Sequence, residues 1–171
     1  MPAKKKIDES KPKPSSDSTI PSSTIKINEL EGQREERHPT TDKAPSLSDV
    51  QELLKNRGGE TEEDAYETAK QILEHKLKVW VKSRPMATDA FFDVASENGF
   101  TLLQINENHV FTKKILNKVT AEQKESLEIC LAGWARLENE SQSVKYREFL
   151  ERARKDWGIM LDQYLGDDID E

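Results

Sequence analysis

Residues 91–116 read FFDVASENGFTLLQINENHVFTKKIL, and this stretch decides the fold class. Phe92 and Val94 alternate with Asp93 and Ala95, and Leu103 and Ile105 alternate with Gln104, so two short runs carry the two-residue period of half-buried strands. Between them Asn98-Gly99 supplies the two residue types that most readily take φ > 0, the chemistry of a tight hairpin turn. The second run ends at Asn106. Asn106 or Asn108 is placed to cap a short helix carrying Phe111, Ile115 and Leu116.

On both sides of the hairpin the pattern changes to helical spacing. Upstream, Thr61-Glu62-Glu63-Asp64 opens a helix with acidic residues in its first turn, where they complement the helix dipole. Its stripe of Ala65, Ala69, Ile72, Leu73 and Trp80 predicts a helix that continues until Pro85 forces a stop. Downstream, Thr120-Ala121-Glu122-Gln123 is a capping box, followed by Leu127, Cys130, Leu131, Trp134 and Leu137 or Glu138. Tyr146, Phe149, Leu150, Ala153, Trp157, Met160 or Leu161, and Tyr164 then give a last helix one wide apolar face. The two C-terminal helices, joined by the polar residues 139–143, are expected to pair antiparallel. With the first helix they would cover a hairpin that two strands alone could not stabilise. The expected fold is therefore α+β: a mostly helical domain packed on a β-hairpin.

Composition divides the 171 residues. Six of the seven prolines lie within residues 1–45, whereas every Trp, Tyr and Phe lies at or beyond Tyr66. A stretch with so little apolar mass cannot offset its chain entropy by burial, so residues 1–46 are expected to form a disordered polar tail. Residues 47–60 would hold a short helix, capped by Ser46 or Ser48, and a linker. Residues 61–165 would form the domain, and residues 166–171 an acidic end. Charge is balanced over the first 60 residues, and the net −7 resides beyond them. An acidic folded surface repels phosphate backbones, which argues against duplex binding as the main role. Lys4, Lys5 and Lys6 are the exception, a flexible basic arm able to make weak, salt-sensitive nucleic-acid contacts. A single Cys130 excludes an internal disulfide, and no apolar run is long enough for a signal core or a membrane span, so a cytoplasmic location with no membrane association is expected.

The hairpin-to-helix stretch resembles the C-terminal region of bacterial and phage ATP-binding proteins of the gyrase, heat-shock chaperone, histidine kinase and mismatch-repair superfamily. In that region an aromatic strand, a turn and a second strand lead to Asn-x-x-His-Pro-Phe. Here it stands as Asn106-Glu107-Asn108-His109-Val110-Phe111, with Val110 in the place of the proline. The resemblance extends more loosely over residues 61–165, through Leu127-Glu128-Ile129-Cys130-Leu131-Ala132 and Phe149-Leu150-Glu151-Arg152-Ala153-Arg154-Lys155-Asp156-Trp157. It implies an accessory tail region without the ATPase domain. The superfamily's nucleotide site needs Glu-x-x-x-Asn followed by Asp-x-Gly-x-Gly. Glu52 to Asn56 spells the first, but the second is missing from the chain, so no nucleotide cofactor is expected.

Catalytic chemistry is not legible in the sequence. His38 and His75 have no second ligand at metal spacing, and Cys130, beside Leu127 and Leu131, reads as a small core residue. His109 reads first as a brace at the hairpin-to-helix corner formed with Asn106 and Phe111. Trp80, Trp134 and Trp157 read as core residues by default, but Trp157, Met160 and Tyr164 lie on a face wider than one neighbouring helix covers and are candidates for an interface. The expected function is a non-enzymatic accessory module that binds a protein, either an ATPase or a second copy of itself. The alternative is a small regulatory nucleic-acid binder using Lys4, Lys5 and Lys6.

Overall fold

A computed structural model of the chain describes residues 20–39 and 44–166. It is an α+β fold in which helices enclose a three-stranded mixed sheet. In chain order the elements are α1 (Ser22–Arg37), α2 (Leu47–Asn56), α3 (Glu62–Glu74), β1 (Val79–Arg84), β2 (Phe92–Glu97), β3 (Phe100–Asn106), α4 (Val110–Lys114), a 3-10 turn (Leu116–Lys118), α5 (Ala121–Glu140) and α6 (Val144–Leu165).

The hairpin forms in the register that its pattern requires, with Phe92 opposite Ile105, Val94 opposite Leu103 and Glu97 opposite Phe100. Asn98 (φ 46°) and Gly99 (φ 84°) both occupy the left-handed region, which matches the turn to the twist of the strands. The helix expected to run from Thr61 toward Pro85 instead stops at Glu74. Lys76 sits at φ 53°, and Leu77 N–H reaches back to Ile72 O at 2.9 Å, a left-handed C-terminal cap built without glycine. The chain then enters a strand, Val79–Arg84, parallel to β3 from Val79/Thr101 to Arg84/Asn106. Trp80 therefore belongs to β1. Its neighbours Val79 and Val81 face one side of the sheet while Trp80 faces the other, and both sides are covered, so the run shows no polar alternation.

Strand β3 is central in the order β1-β3-β2 and is buried along its whole length. On one face Val79, Val81, Phe92, Val94, Leu103 and Ile105 meet Ile27 of α1 and Leu131, Ala132 and Ala135 of α5. On the other, Trp80, Ala95, Phe100 and Leu102 meet Val50, Leu53 and Leu54 of α2 and Ala65, Ala69 and Ile72 of α3. The side-chain caps agree with the sequence: Ser46 with Asp49 and Thr120 with Gln123 make reciprocal capping boxes.

Two further expectations are corrected. Residues 22–37, assigned to the disordered tail, form α1. This helix buries one large apolar side chain, Ile27, and is held instead by polar bonds to the outer edge of β1. Thr24 Oγ1 accepts from Val81 N–H at 3.1 Å; Asn28 Oδ1 accepts from Lys78 and Val79 N–H at 2.6 and 3.1 Å; Asn28 Nδ2 donates to Val79 O at 2.7 Å. Composition registers apolar burial and not the pairing of a sheet edge, so it does not reveal this helix. Lys4, Lys5 and Lys6 lie outside the described residues. The second correction concerns Cys130, which is exposed. The buried side of α5 carries Glu128, Arg136 and Glu138 together with Leu131, Ala132 and Ala135.

Candidate functional site

The corner at the end of β3 is built around Asn106, which is completely buried. Its Oδ1 accepts from Met86 and Asn108 N–H at 3.1 and 3.0 Å, and its Nδ2 donates to Thr88 O and Ala90 O at 3.2 and 3.0 Å. Its own carbonyl accepts from Thr112 Oγ1 and His109 N–H. One side chain thus ties the β1–β2 connection to the start of α4. The helix cap itself comes from His109, not from Asn106 or Asn108. His109 Nδ1 accepts from Phe111 N–H at 3.0 Å, which leaves the proton on Nε2 to be donated to Gly158 O of α6 at 2.8 Å.

At Gly158 α6 crosses closely over the 89–91 backbone. A Cβ there would stand 2.6 Å from Asp89 O and 2.8 Å from Phe91 N. Around this crossing Phe91 gathers the rings of Phe92, His109, Phe111 and Trp157 with centroids 4.6 to 6.2 Å away. One turn earlier, Arg154 is 1% exposed. Its guanidinium donates to Glu138 of α5 from Nε at 2.8 Å and from Nη2 at 3.1 Å, and its Nη1 reaches Phe92 O at 3.2 Å. Desolvation alone would lower its pKa, but the bond and charge of Glu138 outweigh it and hold the guanidinium above its ordinary value. Glu138 also accepts from the Trp134 indole N–H. This pair is not evident in the local pattern, where Arg154 looks like a member of a solvated polar face and Glu138 enters only as an alternative to Leu137 at the end of the α5 stripe. The one signal was spacing, since Arg154 lies four residues from both Leu150 and Gly158 and shares their side of the helix.

With Leu150, Arg154 and Gly158 turned inward and Ala153 and Leu161 half-buried, the remaining large residues of the wide apolar face of α6 are open. Tyr146, Phe149, Trp157, Met160 and Tyr164 are 46, 54, 44, 48 and 78% exposed. The rings of Tyr146 and Phe149 stack at 17°. The structure therefore separates the residues singled out in sequence into two groups. Asn106, His109 and Phe111 come together as an internal brace, while Trp157, Met160 and Tyr164 share an exposed stripe that the brace and Arg154 hold in place. Trp157 belongs to both, its ring edge-on to Phe91 and Phe92 on one side and open on the other.

Clefts are also present among the described residues. One, of about 350 Å³ between α1 and α5, is lined by Ile27, Leu30, Ile129 and Leu137 and by the ion-paired Glu31, Arg34, Arg136 and Glu140. Another, of about 370 Å³, runs along the outer edge of β2. The arginines lining it are already engaged: Arg57 with Asp93, Arg147 with Ser141 O and Arg154 with Glu138. Among the described residues no cluster of His, Cys, Asp or Glu could hold a metal ion, and no helix is long and apolar enough to cross a membrane. Glu52 and Asn56 bond to each other on an exposed turn of α2. No family model, curated protein or solved structure matches the chain.

Proposed function

We propose that the chain is a non-enzymatic protein-interaction module whose binding face is the exposed stripe of α6. The observation that carries this reading is the density of large side chains left open on one helix: Tyr146, Phe149, Trp157, Met160 and Tyr164, all about half exposed or more. Tyr, Trp, Phe and Met are the residue types enriched where protein interfaces close, and a row of them on a rigid helix is ordered before binding, which lowers the entropic cost of association. The corner at Asn106, His109 and Phe111 serves this face by fixing α6 against the sheet. The resemblance at residues 106–111 makes an ATP-binding protein of the gyrase and mismatch-repair superfamily the first partner to test, with this chain acting as a stand-alone counterpart of its tail region.

The test is affinity capture with the wild-type chain and with a Phe149→Glu/Met160→Glu variant as baits, after checking that both melt at similar temperatures. The wild type is expected to retain a specific protein, a second copy included, and the variant to lose it. Equal retention by the two baits would remove α6 as the binding face.

A further inference from the structure

We infer that the exposed stripe of α6 is covered by the α6 of a second copy, lying antiparallel about a two-fold axis that crosses the stripe at the level of Lys155 along the helix. This rests on the reading of α6 as a binding face and names its occupant.

Self-complementarity along the helix is the first ground. Tyr146 and Phe149 lie as far before Lys155 as Tyr164 and Met160, within one residue, lie after it, and Ala153 and Trp157 flank the centre. A two-fold axis there sets Tyr146 against Tyr164 of the other copy, Phe149 against Met160 or Leu161, and the small Ala153 against Trp157, large opposite small where the helices come closest.

Charge is the second ground. The exposed charges of α6 before the centre are Lys145, Arg147, Glu148, Glu151 and Arg152, a balance of one positive charge. The second half carries Asp156 and Asp162 and is followed in sequence by Asp167, Asp168, Asp170 and Glu171. Antiparallel alignment lays each basic half along the acidic half of the other copy and opposes the two helix dipoles, whereas parallel alignment would stack like charges. Arg152 and Asp156 sharpen this. They sit one turn apart on the same flank of the stripe, on either side of its centre, and both are exposed. In an antiparallel pair identical flanks face each other, so each Arg152 meets the other copy's Asp156, twice by symmetry.

Area is the third. At roughly 200 Å² per large side chain, the exposed fractions of the five stripe residues leave about 500 Å² open per copy. A symmetric pair would cover about 1,000 Å² from these side chains alone, the threshold for a specific interface, which places the dimer in the weak, concentration-dependent class.

The experiment is sedimentation velocity of the full chain across micromolar concentrations, with three sets of variants. Wild type should dimerise, and Phe149→Glu/Met160→Glu should be monomeric. Arg152→Asp and Asp156→Arg should each weaken dimerisation about tenfold, as reversal of two symmetry-related surface pairs does, and the double reversal should restore it to within about threefold. For orientation, a spin label at Gln163→Cys in a Cys130→Ser background should report a label separation of about 25 Å, against about 10 Å for a parallel pair. A separation near 10 Å, a dimer indifferent to the stripe variants, or failure of the double reversal to restore dimerisation would overturn the inference. So would a wild type that stays monomeric at high micromolar concentration and low salt. If that monomer still captures another protein through Phe149 and Met160, the reading of α6 as a binding face stands and its occupant is different. If nothing binds through those residues, both fall.

Discussion

Replacing Arg154 with Met tests the link between the buried ion pair and the position of α6. Met matches much of the aliphatic length of Arg and keeps contact with the Phe92 ring, over which the guanidinium now lies with 5.7 Å to the centroid. The substitution removes every charge-assisted bond from this side chain to Glu138. That carboxylate sits in a residue 4% exposed, and Trp134 Nε1 would be its remaining donor. Stranding a buried charge in this way costs about 3–5 kcal/mol, whereas exchanging both partners for uncharged groups of similar shape costs far less. For a chain of this size the single substitution should lower Tm by roughly 10 °C. Adding Glu138→Gln, which keeps an acceptor for Trp134 without the charge, should recover part of the loss. A coupling energy of about 2 kcal/mol in a double-mutant cycle is expected. Urea denaturation followed by tryptophan fluorescence reads all four proteins. A loss below about 1 kcal/mol for Arg154→Met, or strictly additive single effects, would show that the pair is not what anchors α6.

The same geometry sets four further outcomes. His109→Ala removes the cap on Phe111 N–H and the bond to Gly158 O, and should lower Tm by a few degrees, about 1 kcal/mol, while binding through α6 survives below the new midpoint; unchanged Tm with lost binding would place His109 in a functional site. Gly158→Ala should destabilise by about 1–3 kcal/mol because its Cβ has backbone within 3 Å. Gly133→Ala, with nothing within 4 Å of its Cβ, should instead stabilise α5 by about 0.5–1 kcal/mol in thermal melts. Glu140 is partly buried, which would raise its pKa, but its bonds to Arg34 and Arg136 prevail and hold it below the ordinary carboxylate range. Its contribution is thus present at neutral pH and is lost as pH falls through the depressed folded value. The stability gap between wild type and Glu140→Gln, measured by denaturation, should be constant above about pH 5 and shrink below about pH 4; a gap that widened on acidification would refute the assignment.

The hairpin, the starts of α2, α3 and α5 and the apolar stripe of α6 were written in local sequence. Each depends on residues within a few positions of one another: Asn98-Gly99 for the turn, Ser46 with Asp49 and Thr120 with Gln123 for the caps, and the three-to-four-residue spacing from Tyr146 to Tyr164. The position of His109 at the corner was also legible, because lying between a strand end and a helix start is itself a local fact. Tertiary structure decided the rest. Strand β1 exists because β3, some twenty residues away in sequence, offers it a parallel partner, and Trp80 had no local pattern to distinguish that strand from a continuing helix. Helix α1 is held by Thr24 and Asn28 on backbone groups more than fifty residues distant, through polar bonds that no measure of apolar content detects. Arg154 reads as solvated, and nothing local names Glu138 as its partner, until folding brings the two together. That pairing, with Gly158 pressed against the 89–91 backbone, decides which side of α6 turns inward and leaves Trp157, Met160 and Tyr164 facing out. Periodicity shows that a helix has an apolar face, but how much of that face is covered depends on contacts between segments far apart in the chain.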